Sequence, residues 1–368
     1  MRTRILLSLM AAVLVAFGGP ARGALYGVNP FTNDATTPLS SEGLFTLDYN
    51  TGAIVAGTIV TVPARTITGL NSVTLDPTTG TAYAIVKAAA VASRILITLD
   101  LTTGVGVEIG LLGDNFSSLA FRSDGQLFGM TGDGAAVPET LFQIDKTTAV
   151  PVLATTLGNG ADGEVIAYHP GDNAFYHWSG NGTEIFERVA ATTPFAVTNI
   201  PISGPSVTAE IMGAVWDPAR SQFLAHNIGS QMDFWTTAGV RSGQQAATTQ
   251  DVRGLALGYF LTPSAGPNGT ITPAAPRLGV PGAPASFTAT PNPGFAVTFG
   301  GTCVGTTAGN TFTVTSVSAD CTVTAAFAPA VFGAIPVPTM SQWMLALMAA
   351  LMALGAFAAT GRRARSIR

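Results

Sequence analysis

Apolar and polar residues alternate in short runs along most of this chain, and the runs come in pairs around tight turns. One pair reads Leu75-Asp76-Pro77-Thr78-Thr79-Gly80-Thr81-Ala82-Tyr83-Ala84-Ile85. It returns as Tyr168-His169-Pro170-Gly171-Asp172-Asn173-Ala174-Phe175-Tyr176-His177-Trp178 and as Trp216-Asp217-Pro218-Ala219-Arg220-Ser221-Gln222-Phe223-Leu224-Ala225-His226. A copy one residue shorter runs from Phe121 to Met130. Each predicts a strand, a turn and a second strand: Asp or His bonds back onto the turn, Pro presets φ, and Gly or Asn accepts a positive φ. A second run alternates with the first, at Leu44–Asp48, Leu96–Asp100 and Leu141–Asp145, with weaker copies at Ile185-Phe186 and Phe234-Trp235.

The copies recur at roughly 44–52 residues, which accommodates four short strands and their turns. No stretch of this region carries the sustained 3.6-residue period of a helical repeat. At its end, Val252–Leu257 reads as a first strand whose second strand is missing, and Ala24-Leu25-Tyr26-Gly27-Val28 near the start matches that second strand. Pairing them would remove an exposed sheet edge. The reading is all-β, a five-bladed β-propeller over residues 24–258. The Leu-Tyr-Gly start and the Asp-x-x-Thr-Gly turns are similar to those of secreted bacterial propellers.

Residues 259–329 form a separate small β module by this reading. Arg277 and Asp320 are its only formal charges, and period-two alternation marks Phe287–Thr290, Phe295–Phe299, Phe312–Thr315 and Cys321–Phe327. Cys303 and Cys321 are the only cysteines, and in an exported protein such a pair is expected to form a structural disulfide. Thr262–Pro273, Thr290-Pro291-Asn292-Pro293-Gly294-Phe295, Gly300-Gly301-Thr302-Cys303 and Ala319-Asp320-Cys321-Thr322-Val323 resemble the divergent internalin-B-type bacterial repeat. That resemblance implies a surface spacer or interaction module and brings no catalytic residues.

The two ends read as addresses. Residues 1–23 carry Arg2 and Arg4, an apolar run from Ile5 to Phe17, and Ala21-Arg22-Gly23 before a cleavage that would free Ala24, the layout of a secretory signal peptide. After a linker over 330–342, Trp343 to Ala359 contains no charge and would reach roughly 26 Å as a helix, so a transmembrane helix is expected over 343–361. A basic cytoplasmic tail, 362–368, follows with Arg362, Arg363, Arg365 and Arg368. Val337, Pro338, Thr339, Met340 and Trp343, followed by the apolar segment and the arginines, resemble the IPTL-CTERM sorting tail of Gram-negative bacteria. Val337, Met340, Gln342 and Met344 replace the usual Ile, Leu, Glu and Gly. The resemblance implies a membrane enzyme that recognises and processes the tail, an inner-membrane-anchored precursor, and a final place at the cell surface or outside the cell.

Of 17 basic residues, seven lie at the two ends, leaving ten bases against 21 acids and a net charge of −11 on the body. An acidic body with two lysines has no footprint for nucleic acid. The sequence contains no zinc helix, phosphate-cradling loop or nucleophile elbow, so no metal, cofactor or catalytic residue is assigned. His169 stands at a turn position and is expected to cap it. Trp178, Trp216 and Trp235 are expected in the core. The one candidate site is a channel cluster of His177, His226, Asp162 and Glu164. The expected role is non-enzymatic binding of a surface or matrix ligand, the alternative an extracytoplasmic hydrolase or lyase working in the propeller channel.

Overall fold

The computed structural model describes residues 23–32, 43–158, 164–180, 185–205, 210–229, 231–244, 251–330 and 342–364. The expected signal peptide, but for Gly23, lies outside them, as do the sorting residues Val337, Pro338, Thr339 and Met340. Within the described residues the protein is almost entirely β, with one helix at its end.

Among the described residues up to Ala265, twenty strands build five sheets. The chain opens with β1 (Ala24–Val28), β2 (Leu44–Leu47) and β3 (Ile54–Thr58). Four complete antiparallel sheets follow. The first is β4 (Ile67–Leu75), β5 (Ala82–Ala88), β6 (Ile95–Leu99) and β7 (Gly106–Leu111). The second is β8 (Phe116–Phe121), β9 (Leu127–Thr131), β10 (Thr140–Ile144) and β11 (Pro151–Thr156). The third is β12 (Val165–His169), β13 (Ala174–Ser179), β14 (Ile185–Ala190) and β15 (Val197–Asn199). The fourth is β16 (Ile211–Asp217), β17 (Gln222–Asn227), β18 (Met232–Trp235) and β19 (Arg241–Gln244). Then β20 (Arg253–Ala265) returns to pair antiparallel with β1, Leu25 opposite Leu257 and Tyr26 opposite Ala256, as the terminal half-motifs predict.

Turn chemistry sets these pairings. Asp48, Asp100 and Asp145 each accept amide hydrogens from the residues that follow them, through Oδ1 to Thr51, Thr102 and Thr147. His169 plays the same part, its Nδ1 accepting from the Asp172 amide at 2.9 Å. Both patterns satisfy turn donors that would otherwise compete with the ladder.

Among the described residues no sheet closes on itself; the five sheets meet through their first strands. β4 lies against β8, β8 against β12, β12 against β16, β16 against β20, and β20 against β4. Ser72 Oγ accepts from the Leu119 amide, and Ser118 Oγ from the Ile166 amide, both at 3.0 Å. On the other side of the ring, glycine permits close approach. A Cβ on Gly213 would sit 2.7 Å from the Gly254 nitrogen, and one on Gly254 would sit 2.5 Å from the Ser72 Cα. Gly254 also has φ +51°, a conformation that favours glycine.

The expected boundary between residues 258 and 259 falls inside β20, which runs unbroken into the C-terminal part. There β20 pairs with β22 (Arg277–Gly279) and, in parallel, with β27 (Cys321–Pro329), which pairs in turn with β24 (Phe295–Gly301). A further sheet is formed by β21 (Gly269–Thr272), β23 (Ala285–Pro291), β26 (Thr311–Val314) and β25 (Gly305–Ala308). One apolar core spans both parts: Leu25, Phe45 and Leu224 belong to the same cluster as Ile271, Phe287 and Val323. The C-terminal part is therefore docked rather than hung on a linker. Cys303 and Cys321 form the expected disulfide, S–S 2.05 Å.

Helix α1 (Gln342–Ala364) closes the described chain. Trp343, Leu351 and Phe357 are among its exposed apolar side chains. Among the described residues no helix is long and apolar enough to cross a membrane, so the transmembrane segment expected over 343–361 is not found there. The side chains of that segment are described as far as Phe357.

Candidate functional site

The first strands deliver equivalent residues to one end of the ring. Asn71, Ser117, Glu164, Met212 and Arg253 each stand four residues before Leu75, Phe121, Tyr168, Trp216 and Leu257. All five line a single cavity of about 370 Å³. The aim of several comes from β-bulges. The register of β4 slips between Leu70 and Ser72, that of β8 between Phe116 and Ser118, and that of β16 between Ile211 and Gly213. Asn71, Ser117 and Met212 are the extra residues. In β20 the partner of β1 jumps from Leu255 to Arg253, leaving Gly254 over. A bulge bends its strand and redirects a side chain.

The opposite end of the ring is closed. There Leu75, Phe121, Tyr168, Trp216 and Leu257 surround a space of about 70 Å³ that Val280, Pro281 and Ala283 help to line. These come from the segment after β22, so the C-terminal part stoppers this end. The fit is tight: a Cβ on Gly282 would meet Pro170 at 2.8 Å, and one on Gly80 would run into the Leu278 carbonyl oxygen.

One side of the larger cavity is acidic. His177, on β13, has no exposure; its Nε2 meets Glu164 Oε2 at 2.5 Å and its Nδ1 meets Glu187 Oε2 at 3.1 Å. Ser179 Oγ donates to the other Glu164 oxygen at 2.8 Å. Burial alone would hold the imidazole below its ordinary pKa, but the two glutamates outweigh it and raise the value. His177 is thus held fully buried between Glu164 and Glu187 with both ring nitrogens engaged, and Glu164 connects this cluster to the cavity wall.

The other side is basic. Arg94 and Arg253 line the cavity, and Lys87 lies close behind. Lys87 Nζ stands 4.7 Å from the centre of the Phe31 ring, and the Arg253 guanidinium 5.7 Å from it. Arg253 pairs with Asp251 at 3.1 Å, whose carboxyl is raised by burial despite that partner. Burial, then Arg94 and Arg253, push the Lys87 ammonium down to about 8. Burial, then Arg253, also lowers Arg94. Among the described residues no carboxylate lies within ion-pair distance of Lys87 or Arg94.

Of the four expected channel residues, Glu164 and His177 come together. Asp162 lies outside the described residues. His226, on β17 of the next sheet, is buried beside backbone groups of Asn227 and Val252, and burial pushes it down to about 4. Among the described residues no trio of His, Cys, Asp or Glu is placed to hold a metal. Asn71, Arg94, Ser117, Met212 and Arg253 were not among the expected site residues. The signal for four of them was present: a fixed offset from the end of each repeated first strand.

The IPTL-CTERM motif matches residues 335–365, and marks a C-terminal sorting signal on an exported, surface-targeted protein. No curated protein matches the chain. Among solved structures, a structural genomics protein of unknown function from Bacteroides thetaiotaomicron aligns at 12% identity and a TM-score of 0.36, over 65% of this chain and 56% of that one. The dihydro-heme d1 dehydrogenase NirN, in complex with DHE, aligns at 14% identity and a TM-score of 0.32, over 60% of this chain and 43% of that one. The chain thus spans about half the length of either structure, and likeness at this level carries no argument about function.

Proposed function

We propose that this protein is a non-enzymatic binding protein of the cell surface, sorted through its tail, whose five sheets are the blades of a propeller that holds a ligand at one end of the central channel. The sorting motif at residues 335–365 carries the surface assignment. The cyclic contact of the five first strands supports the propeller reading. The internalin-B-type resemblance supports a surface role for residues 259–329, with the added task of closing the far end of the channel. The tail reading has a membrane enzyme recognise the sorting motif and process the chain near Pro338.

Binding is favoured over hydrolysis or elimination by the state of His177. A general base must reach the proton it takes, and this imidazole has no exposure and both nitrogens engaged. What faces the cavity is a set of charged and amide groups suited to holding a molecule. The test is surface labelling of intact cells that produce the full chain or a chain ending at residue 334. The full chain is expected at the surface, and the shortened chain in the periplasm or medium. Equal surface labelling of both would contradict the sorting role.

A further inference from the structure

The body of this protein is acidic, yet three cations gather at one cavity. Lys87, Arg94 and Arg253 act on one another electrostatically, and Asp251 offsets Lys87 and pairs with Arg253. Partly buried like charges repel, so bringing them together carries a cost. Arg94 Nε is buried and finds no hydrogen-bond partner among the described residues. A guanidinium left one donor short beside a second guanidinium is the arrangement that receives a carboxylate or phosphate.

A second observation narrows the ligand. Asn71 is 7% exposed, stands at the bulge of β4, and its Oδ1 has no hydrogen-bond partner among the described residues. An orphaned buried amide is costly, and this one lines the same cavity as Arg94 and Arg253. It calls for a donor on the ligand, a hydroxyl or an amine. Asp133 and Glu210 also line the cavity, which disfavours a multiply charged anion such as phosphate and suits a single negative charge flanked by hydroxyls. The volume, about 370 Å³, has room for a sugar ring.

We propose that the cavity is a subsite for an acidic sugar, a uronate unit of an anionic polysaccharide. Arg94 and Arg253 hold its carboxylate, Lys87 adds long-range attraction, and Asn71 accepts a hydroxyl. The assignment rests on the binding reading above and gives it a ligand class.

The test is calorimetric titration of the purified full chain in detergent with three probes: glucuronate, glucose and inorganic phosphate. Glucuronate is expected to bind saturably and glucose at least ~10-fold more weakly, since the charge-assisted contacts are the stronger ones. R94Q should weaken glucuronate by about 10-fold or more, and R94K should recover part of the loss. N71A should weaken it by a further ~3- to 10-fold. A thermal melt of each variant shows whether it is folded. Glucose binding as tightly as glucuronate, with R94Q indifferent, would overturn the acidic-sugar assignment and leave a binding protein of another specificity. Phosphate binding in preference to glucuronate would overturn it in favour of a simple anion site. Failure of all three probes on the folded protein would overturn the assignment. If oligosaccharides from the producing cell's own envelope also failed, the binding reading would fall with it.

Discussion

Removing one side chain from the C-terminal part should weaken sheets that lie in a different part of the chain. Phe287, on β23, has no exposure and belongs to the cluster that also contains Leu25, Phe45 and Leu224. Phe287→Ala deletes a buried ring and should cost about 3–5 kcal/mol. For a chain this large, each kcal/mol moves the melting midpoint by about 2–4 °C, so a fall of roughly 10 °C is expected. The reporters are Trp178 and Trp235, which are 2% and 1% exposed in the third and fourth complete sheets; Trp343 is 85% exposed and changes little on unfolding. The assay is tryptophan fluorescence during thermal unfolding of wild type and F287A. If β20 and the shared core join the two parts into one cooperative unit, the tryptophan midpoint drops with the variant. A tryptophan midpoint unchanged in F287A would refute the reasoning and restore an independent module.

Other outcomes follow from the same geometry. His226 is held neutral in the fold, its pKa down to about 4 from an ordinary 6.5. Only the unfolded chain takes up that proton as pH falls from 6.5, so about 3 kcal/mol of stability should be lost by pH 4. Urea titrations of H226Q should lose most of that slope, and His169, also lowered by burial, should account for part of the remainder. His177 has the opposite sign: its raised pKa contributes stability fully present below about pH 6.5 and lost as pH rises through the higher folded value. H177Q should cost about 3–5 kcal/mol, because it removes the ring that both buried glutamates meet, and the melting temperature checks it. Breaking the Cys303–Cys321 bridge with reductant should lower stability by about 3 kcal/mol, read as a shift in the same fluorescence transition. Gly254→Ala should fail to fold or melt far lower, because the new methyl meets the Ser72 backbone and φ is +51°.

What the sequence made legible was local. The turn motifs at Asp76, His169 and Asp217 carry their own hydrogen-bond logic, and pairing of Ala24–Val28 with the last repeat follows from matching half-motifs. The disulfide follows from there being two cysteines. At 258/259 charge disappears while the strand does not, so composition and backbone part company there. Tyr259 and Leu261 are buried on either side of an exposed Phe260, so the two-residue period continues across the change in composition. The cavity was harder for the opposite reason. Bulges at Asn71, Ser117 and Met212 break that period, and residues out of phase with their strand look like noise until the copies are aligned by their ends. Arg94 and Lys87 carry no motif at all; only the ring brings them beside Arg253.

The central claim, an exported body sorted through its tail, is tested most directly by the intact mass of the native protein recovered from the cell surface and from the medium. The account predicts a chain that begins at Ala24 and ends near Pro338. A chain that still begins at Met1, or one recovered from the surface still ending at Arg368, would contradict export with tail processing.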